Sequence, residues 1–174
     1  MVFIKLLYVL LVGVIVTLKI NDSAPNFSLP DSNGKNISLS SLLGKWVVLY
    51  FYPKDNTPGC TIEAVDFTHL AKDFSKLNCV VLGVSKDSCS SHSNFSKLFN
   101  LGVILLSDPD GKMQTDYGVW GKKQFAGKEY MGTTRTTYLI DPNGKIVFIW
   151  ENVEPIAHAN FVLEKLKEIS KKFA

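Results

Sequence analysis

Three cysteines in a chain of 174 residues are too few, and too unevenly spaced, for a disulfide scaffold. Neither a C-x-x-C pair nor a cysteine and histidine cluster with zinc spacing occurs, and His69, His92 and His158 lie far apart. No metal or other cofactor is therefore expected. Charge of one sign is also scarce: 19 basic and 16 acidic residues leave only +3. The basic residues are scattered apart from Lys171 and Lys172, which fit a solvated helix end, so no nucleic-acid partner is expected. Arginine is nearly absent, Arg135 being the only one. Internal repeats and low-complexity linkers are missing too. What remains is one-domain length and an ordinary hydrophobic content of 46%, enough to bury a real core. With so few thiols, the question becomes which one is reactive.

The longest hydrophobic run lies at the start, in residues 1–20, where Leu6 to Leu18 is apolar after Lys5. That run is short of the roughly 20 residues a membrane span needs, although Val2, Phe3 and Ile4 extend it if Lys5 snorkels. Three readings stand: an uncleaved membrane anchor or signal, a first strand or start artefact ahead of the domain, or a cleaved signal. No small-x-small cleavage pattern follows Gly13. An anchor would bring membrane association through residues 1–20, and either export reading puts the body outside the cytoplasm. Otherwise the protein is cytoplasmic.

From residue 21 the composition is that of a soluble α/β domain. Asn26–Leu29 and Ile37–Leu39 flank Ser32-Asn33-Gly34 and predict a hairpin. The continuous β-branched and aromatic run Trp46–Tyr52 predicts a central strand buried on both faces, and Cys79–Val84 another. Between them Phe67, Leu70, Ala71, Phe74 and Leu77 recur at helical spacing. Strand, helix, strand makes a parallel crossover. A helix over Ser90–Phe99 and a strand over Val103–Leu106 follow. Thr136–Ile140 and Ile146–Trp150 then flank the turn Asp141-Pro142-Asn143-Gly144, before a last helix from about Ala157 to Lys172. The expected fold is thioredoxin-like: a mixed central sheet flanked by helices, with an N-terminal β-hairpin extension.

Cys60 lies directly after the central strand and directly before the amphipathic helix, in Pro53-Lys54-Asp55-Asn56-Thr57-Pro58-Gly59-Cys60. A cysteine acts as a nucleophile through its thiolate, and a first-turn thiolate faces unpaired backbone N–H groups and the positive end of the helix dipole. The C-terminal edge of parallel strands is also where open α/β sheets place their chemistry. Thr57, three residues earlier, can set its hydroxyl beside the sulfur and a bound substrate or simply cap the helix. Pro53 can shield the thiolate or simply end the strand.

Pro53, Thr57 and Cys60 form Pro-x-x-x-Thr-x-x-Cys, and with this motif the chain resembles the peroxiredoxins. The stretch FYPKDNTPGCTIEA (Phe51–Ala64) is similar to the bacterioferritin comigratory (Q) branch. The likeness continues through GVSKDS (Gly83–Ser88), LLSDPDGK (Leu105–Lys112), YGVWG (Tyr117–Gly121), GKEYMG (Gly127–Gly132) and YLIDPNGKI (Tyr138–Ile146). It implies an antioxidant thiol peroxidase reducing hydrogen peroxide and organic hydroperoxides. Cys60 would be the peroxidatic nucleophile, passing through a sulfenic acid, with Thr57 and Arg135 around the peroxide and Pro53 as shield. Without the resemblance, Arg135 reads first as a surface arginine beginning a strand.

The resemblance also implies a resolving cysteine, often five residues after the first; here that position is Val65. Other members carry it in the next helix, near Ser96. Cys89 is the remaining candidate, on the same sheet edge as Cys60, although a disulfide would require a helix start to unwind. Cys79, inside a buried strand, reads as core. The default is therefore an external thiol such as thioredoxin, glutaredoxin or glutathione, acting on a monomer rather than a large oligomer. Two rivals remain: a disulfide oxidoreductase, for which Cys60-Thr61-Ile62-Glu63 lacks the second cysteine, and a non-catalytic module keeping only the fold.

Overall fold

The computed structural model describes residues 16–173. The three readings of residues 1–20 thus fall largely outside the described residues. Within them, Leu18 packs against the body of the domain, whereas Val16 and Ile20 are exposed. No helix among the described residues is long and apolar enough to cross a membrane.

The strand over Trp46–Phe51 (β3) is buried at every position, as its unbroken apolar run predicts. Its period of two splits it between two cores. Trp46, Val48 and Tyr50 face one cluster, while Val47, Leu49 and Phe51 face the other. Burying each such side chain contributes roughly 1.5–3 kcal/mol, which is why this strand sits at the centre. Strands over Cys79–Ser85 (β4) and Ile104–Ser107 (β5) run parallel on one side of it. On the other side the strand over Thr136–Ile140 (β8) runs antiparallel to β3, and the strand over Ile146–Trp150 (β9) runs antiparallel to β8. The sheet order is β5-β4-β3-β8-β9, a mixed sheet of the thioredoxin-like kind.

On the first face lie helices over Pro58–His69 (α1), Ala71–Lys76 (α2), Cys89–Phe99 (α3) and His158–Ser170 (α5). The second face is covered by the short helix Lys112–Asp116 (α4) and the N-terminal hairpin, Ser28–Pro30 (β1) with Asn36–Ser38 (β2). Those hairpin strands are shifted inward from the predicted ones. The cause is Asp31, whose carboxylate accepts from the backbone of Asn33 (2.8 Å) and Lys35 (3.0 Å) and tightens the turn.

Three further differences have local causes. The helix after Cys60 is two helices, not one. Thr68 Oγ1 donates to the carbonyl of Ala64 (2.8 Å) and accepts from the backbone of Gly102 (3.0 Å), so a hydroxyl competes for the helix ladder just before the joint at Leu70. That helix also begins at Pro58, because proline's fixed φ and missing N–H suit the first helical position. A second hairpin, Trp120–Phe125 (β6) with Lys128–Thr133 (β7), was not anticipated. Its residues are largely solvent-facing, so it has no apolar alternation, and its turn uses Ala126 and Gly127, both at positive φ.

Candidate active site

β3 delivers the chain to a loop over residues 53–57, and α1 begins at once. Cys60 is thereby fixed in the first helical turn, three positions past the cap residue Thr57. Its side chain is nearly enclosed, at 2% exposure. Across the site, Arg135 sits between β7 and β8, its carbonyl accepting from the backbone of Val153 at 2.9 Å. Arg135 Nη2 donates to Cys60 Sγ at 3.4 Å, and Nη1 donates to Glu63 Oε2 at 2.5 Å. With a side chain only 15% exposed, Arg135 is not a surface arginine.

Glu63, the partner of Arg135, is a residue of the site that the sequence did not single out. It stands one helical turn after Cys60, so both share a face of α1, a spacing that could have marked it. Burial pushes its carboxyl up to about 7, even against the attraction of Arg135. One of its oxygens, Oε1, has no hydrogen-bond partner. The same guanidinium is held more firmly charged: burial opposes its charge, but Glu63 and Cys60 outweigh that. Gly59 makes the approach feasible, since a Cβ there would lie 3.3 Å from Arg135 Nη2 and 3.2 Å from Pro155 Cγ.

Thr57 occupies the cap position of α1, yet its hydroxyl bonds no helix N–H. It donates instead to the carbonyl of Lys54 at 2.9 Å. With its one proton engaged, the oxygen presents lone pairs and acts only as an acceptor. Pro53 is exposed and shares a cleft wall with Trp120, Lys123 and Thr133.

Cys60, Cys79 and Cys89 are all free thiols. Cys79 belongs to a core cluster, and burial pushes its thiol up to about 12. Cys89 is half-buried at the first position of α3, behind the cap residue Ser88, whose side chain accepts from the backbone of Ser91. Val65 lies on α1, and Ser96 is half-buried on α3. A further buried histidine adjoins the site: His158 Nε2 lies 2.8 Å from Thr137 Oγ1. Burial, aided by Arg135, lowers its pKa to about 4.

The arginine brings positive charge to the sulfur, and its remaining N–H groups can donate to oxygen atoms placed beside it. The family model of the AhpC/TSA family matches residues 20–149. A putative peroxiredoxin bcp of Helicobacter pylori strain J99 is 48% identical over 149 residues, 86% of this chain and 98% of the relative. The peroxiredoxin Bcp of Bacillus subtilis is 42% identical, covering 90% of this chain and all of that one. Among solved structures, the bacterioferritin comigratory protein of Xanthomonas campestris, described for alkyl peroxide reduction, superposes with a TM-score of 0.82 at 38% identity. That match covers 88% of this chain and 98% of the other.

Proposed function

This chain belongs to the AhpC/TSA family as a peroxiredoxin of the bacterioferritin comigratory type, a thiol-dependent peroxidase, and we propose that Cys60 is its peroxidatic nucleophile. The observation that carries the assignment is the 3.4 Å contact from Arg135 to the Cys60 sulfur. The Cys60 thiolate attacks the terminal oxygen of a hydroperoxide, an S–O bond forms as the O–O bond breaks, and the attacked group's proton passes to the departing oxygen. Cys60 leaves as a sulfenate and the peroxide as an alcohol, or as water from hydrogen peroxide.

Thr57 Oγ1 accepts the peroxide O–H and sets the O–O axis. Arg135 donates to the oxygens as negative charge moves onto the leaving one, which a planar guanidinium does better than an ammonium. Glu63 holds the guanidinium in place, and Pro53 shields the loop. The role of Glu63 is to orient Arg135, not to touch substrate.

A thiol then condenses with the sulfenic acid, releasing water and leaving a disulfide that further thiol reduces. At 2% exposure Cys60 offers too little surface for a thiol to approach its sulfur, so the first turn of α1 opens for recycling. We assign the reductant to the external thiol class, thioredoxin, glutaredoxin or glutathione, with Cys89 as the intramolecular alternative, and we take the working form to be a monomer.

Peroxide consumption by wild type and Cys60→Ser tests the assignment. Turnover is expected to vanish in the variant while the fold persists; retained turnover would overturn it. Insulin disulfide reduction, assayed in parallel, should be absent, which separates a peroxidase from a disulfide oxidoreductase.

A further inference from the structure

The residue five places before Cys60 is a buried acid in a loop, where acids are ordinarily solvated. The Asp55 side chain is 4% exposed and receives three different donors. Tyr52 Oη donates to Oδ1 at 2.6 Å, Ser91 Oγ donates to Oδ2 at 2.7 Å, and His92 Nδ1 lies 2.9 and 3.0 Å from the two oxygens. The Asp55 backbone N–H is held as well, by Asp87 Oδ2 at 2.9 Å.

His92 is fully buried on α3, and its other nitrogen, Nε2, lies 3.0 Å from the carbonyl of Leu106 in β5. Both ring nitrogens thus face oxygen atoms, so the imidazole ties the Asp55 carboxylate to β5. Burial works to raise the Asp55 carboxyl, but the bonds from His92 and Tyr52 outweigh it and hold it below the usual carboxylate range.

As a source of stability such a pair is a poor choice, since apolar groups of similar size would do as well. Its location says more. Asp55 is followed by Asn56 in the left-handed conformation (φ 56°) and then by Thr57, whose carbonyl accepts from the backbone of Thr61 at 2.9 Å. Displacing Asp55 therefore moves the substrate acceptor and the first turn that carries Cys60. The same helix α3 also begins with Cys89.

Resting on the assignment of Cys60, we propose that His92 is a positioning residue. By gripping Asp55 it locks the loop in the arrangement that attacks peroxide, and its release is the step that lets oxidised Cys60 emerge to meet a thiol. The lock thus favours the first half of the cycle and opposes the second.

The test uses His92→Leu, Asp55→Ala and the double variant in the full chain, measuring the half-reactions separately by stopped flow. The first is oxidation by hydrogen peroxide; the second is reduction of the preformed sulfenic acid by dithiothreitol. Oxidation should slow by about tenfold or more, the scale on which small misplacements act, while reduction quickens several-fold. If a single variant does not fold because one charge is left buried, the apolar double variant should fold and show the same split. Both rates unchanged, or both falling in equal proportion, would overturn the lock. Neither result bears on Cys60, which stands or falls with Cys60→Ser.

Discussion

Arg135 places its Nη2 3.4 Å from Cys60 Sγ although 75 residues of chain separate them. The antiparallel pairing of β8 with β3 makes this contact. It sets Phe51, at the end of β3, opposite Thr136, at the start of β8. Cys60 follows one of these strand ends and Arg135 immediately precedes the other. The guanidinium is shared between the sulfur and Glu63, so its two donor groups have separate tasks.

Replacing Arg135 by lysine separates geometry from charge. One ammonium has no planar fork with which to hold Glu63 and serve the sulfur and peroxide together. We expect kcat/KM for hydrogen peroxide to fall by about 10²–10³, the range for losing a donor aimed at developing charge. Steady-state peroxide consumption of Arg135→Lys measures this; near wild-type activity would show that charge alone suffices.

Thr57 should tolerate serine and not valine. Serine keeps the oxygen that would accept from the peroxide in the proposed mechanism, whereas valine has a similar shape and no acceptor. Thr57→Val should lower kcat/KM by roughly 10²-fold or more, with Thr57→Ser within several-fold of wild type. Equal loss in both would point to packing instead.

Two buried groups tilt stability in opposite directions with pH. Glu63 titrates near 7 when folded against an ordinary 4.5, so its contribution is full below 4.5 and is lost as pH rises through 7. His158 titrates near 4 against 6.5, so its contribution is full above 6.5 and is lost as pH falls through 4. Each shift corresponds to about 3 kcal/mol at most. Urea unfolding of wild type should therefore vary little between pH 4.5 and 6.5 from these two sources. Glu63→Gln should lose stability on acidification across that window, and His158→Gln should lose it as pH rises. Identical slopes in all three proteins would contradict the assignment.

Intact mass after one equivalent of peroxide decides how Cys60 is recycled. One added oxygen is expected, marking a sulfenic acid awaiting an external thiol. Loss of two hydrogens that disappears in Cys89→Ser would instead mark a Cys60–Cys89 bond. Cys79→Ser should change neither outcome, because that thiol is buried in the core.

Much of this was legible in the chain itself. The run Trp46–Tyr52 announced the central strand because β3 is buried on both faces and needs no polar alternation. The turn Asp141-Pro142-Asn143-Gly144 was legible for a different reason: Gly144 adopts positive φ, and Asp141 accepts from the backbone of Asn143 and Lys145. The β6–β7 hairpin was not, because a ribbon exposed on both faces leaves no hydrophobic period to read. The joint at Leu70 was hidden for a similar reason, since the apolar spacing runs straight through it and a hydroxyl bond breaks the helix.

The sequence by itself determined the setting of the candidate nucleophile, Cys60. Strand, loop and helix start are consecutive, so Pro53, Thr57 and Cys60 are placed by local geometry alone. Only the tertiary structure decided that Arg135 reaches the Cys60 sulfur, that Glu63 rather than solvent steadies Arg135, and that His92 grips Asp55. Those contacts join residues brought together by strand order and helix packing, and sequence spacing carries no record of them. Burial does the rest. A carboxylate, an imidazole and a guanidinium taken out of water must find partners, and the fold alone determines which partners are within reach.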